Sequence, residues 1–175
     1  MTETAYRIRP GRPDEVEAVR AIEDAAASLF SSVGLPQIAA LDPVEREEVL
    51  LRAREGRLWV AADTADRPVA FALFSVIDDT LHVEELDVHP DHARRGLGAA
   101  LLDRLEAIAR EWRLPDLTLS TFRDVPWNAP YYARLGFVPM PDEALGPGLA
   151  AIRALIAAKG IDIVPRLFMR RPVKG

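Results

Sequence analysis

Cysteine is missing from this chain of 175 residues. Its absence excludes disulfides, thiolate metal sites and a cysteine-borne acyl intermediate. No apolar run approaches the length of a membrane span, so no membrane partner is expected. The first residues lack the basic-then-apolar pattern of a secretion signal, and the expectation is a soluble, cytoplasmic protein. Excess positive charge is missing too. A formal net charge of −5 argues against nucleic acid as a main partner and leaves room for a cationic small molecule or a basic peptide. Repeats and low-complexity segments do not occur. What the chain does have is apolar content, 49% of its residues. At this length that suffices for one domain, residues 1–175, whose core needs no staples.

Tyr6-Arg7-Ile8-Arg9 alternates and stops at Pro10-Gly11, as a short edge strand does. Pro13-Asp14-Glu15 starts a helix, since proline and acids suit a first turn. Val16, Val19, Ile22 and Ala26 then recur at helical spacing toward Phe30. Residues 31–40 read as a loop, and Asp42-Pro43 opens a second helix with Val49, Leu50 and Ala53 as its apolar face. From Leu58 the period drops to two. Leu58–Ala62, Pro68–Ile77 and Leu81–Val88 are three strands on tight turns, hence an antiparallel meander. The next helix carries Leu97, Leu101, Leu105, Ile108 and Trp112 on one side, with Asp103, Arg104, Glu106 and Arg110 largely off that stripe. Leu117–Thr121 is a strand, Asn128–Leu135 a short helix ended by Gly136, and Phe137-Val138 begins another strand. A helix over Leu149–Lys159 and a strand near Arg166–Arg170 close the chain. The class is α/β with a mostly antiparallel sheet.

The stretch from Val88 to Leu102 reads as a strand end, a basic turn with two glycines, and a helix start. Helix starts carry unpaired N–H groups and partial positive charge, which favour phosphate. Gly96 and Gly98 remove side chains that would hold a pyrophosphate away, and Arg94 and Arg95 add charge. A helix start that merely needs flexible backbone would look similar. The turn has no Gly-Lys-Ser/Thr ending, which argues against a nucleotide P-loop. Leu101 stands where the dinucleotide fingerprint wants a third small residue, and no acid ends the following strand to hold a ribose.

Three ordered segments resemble the GCN5-related N-acetyltransferase (GNAT) family. Ala93-Arg94-Arg95-Gly96-Leu97-Gly98 is similar to its Gln/Arg-x-x-Gly-x-Gly/Ala turn, with alanine at the first position. Leu86-Asp87-Val88-His89-Pro90 looks like the strand that pairs its backbone with a pantetheine arm. Asn128 and Tyr131-Tyr132-Ala133-Arg134-Leu135-Gly136-Phe137 resemble the family's asparagine and its Phe/Tyr-Tyr-x-x-x-Gly-Phe signature. The resemblance implies a single GNAT-like domain, with a mixed, mostly antiparallel central sheet flanked by helices and splayed at the cofactor site. It implies acetyl-CoA as co-substrate, held by Leu86, Asp87, Val88, Arg94, Arg95, Gly96, Leu97, Gly98, Ala99 and Asn128. Dimers are common among similar proteins, so a homodimer is a further expectation, with the strand near Arg166–Arg170 able to exchange or pair.

Amine acetylation needs a neutral amine, a polarised thioester carbonyl and a proton for the departing thiolate. An alkyl amine of pKa about 10 is only about one part in a thousand neutral near pH 7, so a base must act. Glu84 matches the base position of similar polyamine-type enzymes, with Glu85 and His82 as alternatives; a solvated sheet edge is the competing role for all three. The N–H of Val88 or of Asp87 can polarise the carbonyl. Tyr132 matches the family tyrosine that protonates the CoA thiolate, or else is a tyrosine with a structural hydrogen bond, while Tyr131 fits packing. His89 and His92 flank an irregular turn with no further ligand close in sequence, so no metal is expected. Trp127 lines the acceptor pocket or packs its own loop.

Acceptor contacts would come from Glu23, Asp24, Phe30, Ser31, Thr121, Phe122, Arg123 and Asp124; most of these charges suit ordinary solvated surface equally well. The expected activity is direct transfer of acetyl to a primary amine of a small molecule, without an acyl-enzyme. Protein or peptide N-acetylation and a non-catalytic acyl-CoA-binding or sensory domain are the alternatives.

Overall fold

A computed structural model describes residues 6–162 and 164–175. The strands are β1 (Arg7–Pro10), β2 (Leu58–Ala62), β3 (Pro68–Ile77), β4 (Thr80–Val88), β5 (Asp116–Phe122), β6 (Val138–Met140) and β7 (Arg166–Pro172). The helices are α1 (Val16–Ala27), α2 (Pro36–Ala39), α3 (Arg46–Arg54), α4 (Leu97–Glu111), α5 (Ala129–Arg134) and α6 (Pro147–Ala158). The strand order is β1-β2-β3-β4-β5-β7-β6. The β4–β5 ladder is parallel and those of β1–β2, β2–β3, β5–β7 and β6–β7 are antiparallel, which gives the mixed, mostly antiparallel sheet expected from the sequence. The chain divides into two compact units, Met1–Phe74 with Glu85–Arg104, and Ser75–Glu84 with Leu105–Gly175.

The first unit has its core between α1, α3 and the strands. Val16, Val19 and Ile22 of α1 bury against Val49, Leu58, Val60, Phe71 and Leu73, with Val44, Leu50 and Ala53 partly covered at the margin. The stripe read along α1 is therefore the buried one. Residues 28–40 are more ordered than a loop. A 3₁₀ turn spans Ser28–Val33 and α2 starts at Pro36, a residue that suits a first helical turn. The second helix starts later than Asp42-Pro43, at Arg46 with Glu45 as its cap residue. At the β2–β3 turn, Asp66 takes a left-handed φ of 60° and accepts from Arg7, Arg9 and Arg12. Those guanidinium donors hold its carboxyl well below the usual carboxylate range.

In the second unit, β5 pairs along its whole length with β7, from Asp116↔Pro172 to Phe122↔Arg166. Its most informative interaction is a buried ion pair. Glu106 of α4 accepts from Arg171 of β7 at 2.7 Å and from the Lys174 N–H at 3.0 Å. Arg171 also donates to the Leu135 carbonyl at 3.1 Å and lies over the Phe137 ring at 5.1 Å. Glu106 was expected off the buried stripe, but it is only 7% exposed. Helical spacing places it near the stripe's edge, and the arginine makes its burial tolerable. Trp112, expected to face the core, is 46% exposed. The helix ends one residue earlier and the chain enters a left-handed turn at Arg113, so its periodicity does not extend to position 112. Gly136 closes α5 with φ +88°, as a C-terminal cap should.

Removing one partner of a buried pair leaves the other charge uncompensated, which typically costs about 3–5 kcal/mol. Glu106→Ala is expected to lower the unfolding free energy by about that amount in denaturant titrations of the full chain. A loss under about 1 kcal/mol would mean that Arg171 finds water instead.

Candidate functional site

The phosphate-type turn is built by the end of β4 and the start of α4. A 3₁₀ turn over Pro90–His92 follows β4, and the His89 ring accepts from the Asp91 N–H at 3.2 Å. Arg94 and Gly96 then take left-handed φ values of +60° and +75°. A Cβ at Gly96 would meet nothing within 4 Å, so its need for glycine is conformational rather than steric. The Ala100 N–H donates to the Gly96 carbonyl at 3.0 Å, which makes Gly96 the cap residue of α4. The N–H groups of Leu97, Gly98 and Ala99 consequently have no partner within the helix.

Charge around this helix start is one-sided. Helices α1 and α3 carry Glu17 and Glu47 with Glu48 in their first turns, the usual answer to a helix dipole. The first turn of α4 carries no acid, and Arg94 and Arg95 stand exposed just before it. The positive end meets no acidic side chain in its own first turn. These residues fit a pyrophosphate.

Strand β4 leads into this turn. Its ladder with β5 runs from Leu81↔Leu117 to Val83↔Leu119, and β4 itself continues to Val88. The His89 N–H donates to the Val69 carbonyl at 2.9 Å. Adjacent N–H groups of an extended strand point to opposite sides, so the Val88 N–H points away from β3. Between the two candidate amides, this favours Val88 over Asp87 as a donor to a bound carbonyl. Leu86, Asp87 and Val88 are all half-buried on this stretch.

Glu84 and Glu85 are half-buried neighbours on β4. His82 is enclosed, 4% exposed. Its Nδ1 shares a 3.0 Å hydrogen bond with Thr118, whose hydroxyl is 3.0 Å from that of Thr80. Burial pushes the His82 imidazole down to about 4, against the opposing charges of Glu84 and Asp78. A base so weak stays neutral at pH 7 and is poorly matched to taking a proton from an ammonium.

Tyr132 is buried on α5, with its ring edge-to-face on Tyr131 at 5.4 Å and on Phe137 at 5.7 Å. Tyr131 is half-buried, with Arg134 at 5.8 Å from its ring centre. Asn128 precedes α5, and its Oδ1 is buried with no hydrogen-bond donor among the described residues. That orphaned acceptor suits an amide N–H, which a pantetheine arm carries. Among the described residues no group of three His, Asp or Glu side chains is placed to hold a metal ion, and no helix is long and apolar enough to cross a membrane.

Two carboxylates of the first unit were not singled out as a pair by the sequence. Glu23 of α1 accepts from the Val44 N–H at 3.0 Å, and burial raises its pKa. Burial first, then the charge of Glu23, pushes the Asp87 carboxyl up to about 7. Positions 64 residues apart carry no joint signal that local spacing can reveal.

Comparison with known proteins places these features in one family. The Acetyltransferase (GNAT) family matches residues 19–137, and the chain belongs to that family. "GCN5-related N-acetyltransferase 1, chloroplastic" of Arabidopsis thaliana is 29% identical over 129 residues, 70% of this chain. The chain spans about 59% of that relative's length. The fold is similar to N-acetylglutamate synthase of Neisseria gonorrhoeae, solved with coenzyme A and N-acetyl-glutamate, at a TM-score of 0.75 and 16% identity over 99% of this chain and 36% of that one. It is also similar to the ribosomal-protein-S18-alanine N-acetyltransferase of Escherichia coli, at 0.66 and 19% identity over 97% and 95%. A shared fold thus serves a small-molecule acceptor in one protein and a protein acceptor in another.

The enclosed His82 makes a prediction about acid stability. The unfolded chain binds a proton at a histidine near 6.5, and the folded chain refuses it until about 4. Stability from this residue is therefore complete above about pH 6.5 and is lost as the pH falls toward 4, at up to about 1.4 kcal/mol per pH unit. His82→Gln should flatten the slope of unfolding free energy against pH in that window by as much as one proton. An unchanged slope would contradict the burial argument.

Proposed function

We propose that this protein is an acetyl-CoA-dependent N-acetyltransferase acting on a primary amine of a small molecule. The observation that carries the reading is the start of α4, an acid-free helix terminus behind two exposed arginines and a left-handed Gly96. Acetyl-CoA supplies the activated acyl group and, in its pyrophosphate, the anion that this terminus suits. The N–H groups of Leu97, Gly98 and Ala99 face the phosphates, with Arg94 and Arg95 alongside. By the family resemblance, the backbone of Leu86–Val88 and the side chain of Asn128 would hold the pantetheine arm, and the Val88 N–H would stabilise negative charge developing on the carbonyl oxygen.

Direct transfer asks the chain for two proton movements. Glu84 takes a proton from the acceptor ammonium, directly or through water, and this role rests on the family resemblance. The lowered basicity of His82 supports a carboxylate over the imidazole. Tyr132 gives its phenolic proton to the departing thiolate. The amine nitrogen bonds to the acyl carbon as the carbon–sulfur bond breaks, and its second proton restores the Tyr132 phenolate, leaving an amide and CoA.

Glu23 and Asp87 support a cationic acceptor. Desolvation costs each carboxylate free energy, and their like charges add to it at Asp87. An ammonium relieves both costs, whereas a carboxylate-bearing acceptor would add a third. With the acceptor class tested by polyamines, amino sugars, amino acids and basic peptides, CoA release is expected with small amines. Release from peptides alone would transfer the assignment to protein acetylation, and CoA binding without release from any amine would make the chain a binding domain.

Tyr132→Phe removes the phenolic hydroxyl and keeps the ring. It should lower kcat by about a hundredfold or more while leaving the Kd for acetyl-CoA within about threefold. Equal turnover in a variant with an unchanged melting temperature would remove Tyr132 from the acid role. Asp87→Asn should raise KM for a diamine by about tenfold and leave CoA affinity in place; an unchanged KM would detach the pair from the acceptor.

A further inference from the structure

We propose that Tyr6 is a positioning residue for the phosphate turn, holding Arg95 in place from more than eighty positions away in sequence. The inference rests on the reading of that turn as the site of a CoA pyrophosphate. Tyr6 immediately precedes β1, which is clamped to β2 from Arg7↔Ala62 to Pro10↔Trp59. Its hydroxyl shares a 2.9 Å hydrogen bond with His92 Nδ1, and the two rings meet edge-on at 5.7 Å. The guanidinium of Arg95 lies over the Tyr6 ring, 5.9 Å from its centre. One aromatic side chain therefore touches the turn on both sides of the strained Arg94.

The rest of the turn is fixed from its other end. His92 stands edge-to-face to His89 at 6.1 Å, the His92 N–H donates to the His89 carbonyl at 2.8 Å, and the His89 N–H ties the segment to β3 through Val69. Beyond His92 the chain is exposed from Ala93 to Gly96 and includes a non-glycine residue at φ +60°. That conformation is disfavoured and persists only where its surroundings determine it. A long arginine side chain also loses much rotamer freedom when it is fixed on a phosphate. Resting against Tyr6 before the ligand arrives, Arg95 has less left to lose. Tyr6 acts through Arg95, with His92 orienting its ring, and needs no contact with the ligand.

The test is a double-mutant cycle in the full chain, read as the Kd for CoA by calorimetry. Tyr6→Leu, which removes both ring and hydroxyl, should weaken CoA binding about five- to tenfold. Tyr6→Phe keeps the ring beneath Arg95 and should lose about two- to threefold. In an Arg95→Ala background, both Tyr6 changes should alter Kd by less than about twofold, since the group they position is gone. An equal loss with and without Arg95 would overturn the proposal, as would an unweakened Tyr6→Leu. A general folding defect would lower the melting temperature and weaken binding alike in both backgrounds, and counts against it. If the unaltered chain binds no CoA, the acyltransferase reading falls first and the positioning role with it.

Discussion

The constraint on which the rest depends is the dipole at the start of α4. A helix of fifteen residues presents unpaired N–H groups at its first turn, and something must answer them. At α1 and α3 the answer is internal, in their first-turn glutamates, and at α6 it is the carboxylate of Asp78. At α4 it is withheld. Gly96 and Arg94 adopt left-handed backbone to bring the chain from β4 into the helix, and the two charged residues directly before Gly96 are arginines. Such a terminus suits an anion, and the co-substrate proposed for this chain carries one.

How much of this is legible in the sequence depends on how local the cause is. Leu58–Ala62 and Pro68–Ile77 read with the bounds that the structure has, because alternation and tight-turn residues act over a few positions. The same holds for the glycine turn, whose chemistry lies within six consecutive residues. Residues 28–40 were harder, since their short helical turns have no long apolar period to announce them. Glu106 looks like a surface residue until Arg171 is placed beside it, 65 positions later. Asp78 is similar: it reads as a hairpin turn residue, yet its carboxylate accepts from the Gly148 and Leu149 N–H groups and so caps α6. Tyr6 belongs to the same class. Interactions of this kind form only when the sheet brings distant segments together, and no period in the chain encodes them.

Buried charge separates what holds the fold from what the proposed function uses. Glu106 is enclosed but fully answered, with Arg171 and a backbone N–H on its two oxygens. Such a group has nothing left to offer a ligand, and its role is structural. Asp66 is likewise saturated, by three arginines. Glu23 and Asp87 differ, because their pKa values are raised rather than lowered. A raised carboxyl pKa means that burial outweighs the partners the protein supplies, so a cation from outside would be welcomed rather than merely tolerated. By the same measure His82 is a satisfied core histidine, with hydroxyl hydrogen bonding on one side and an aromatic neighbour, Phe168, at 6.3 Å. The α4 terminus is short of negative charge and the Glu23–Asp87 pair is short of positive charge. In the proposed reaction, the pyrophosphate of an acyl-CoA and an ammonium supply what each lacks.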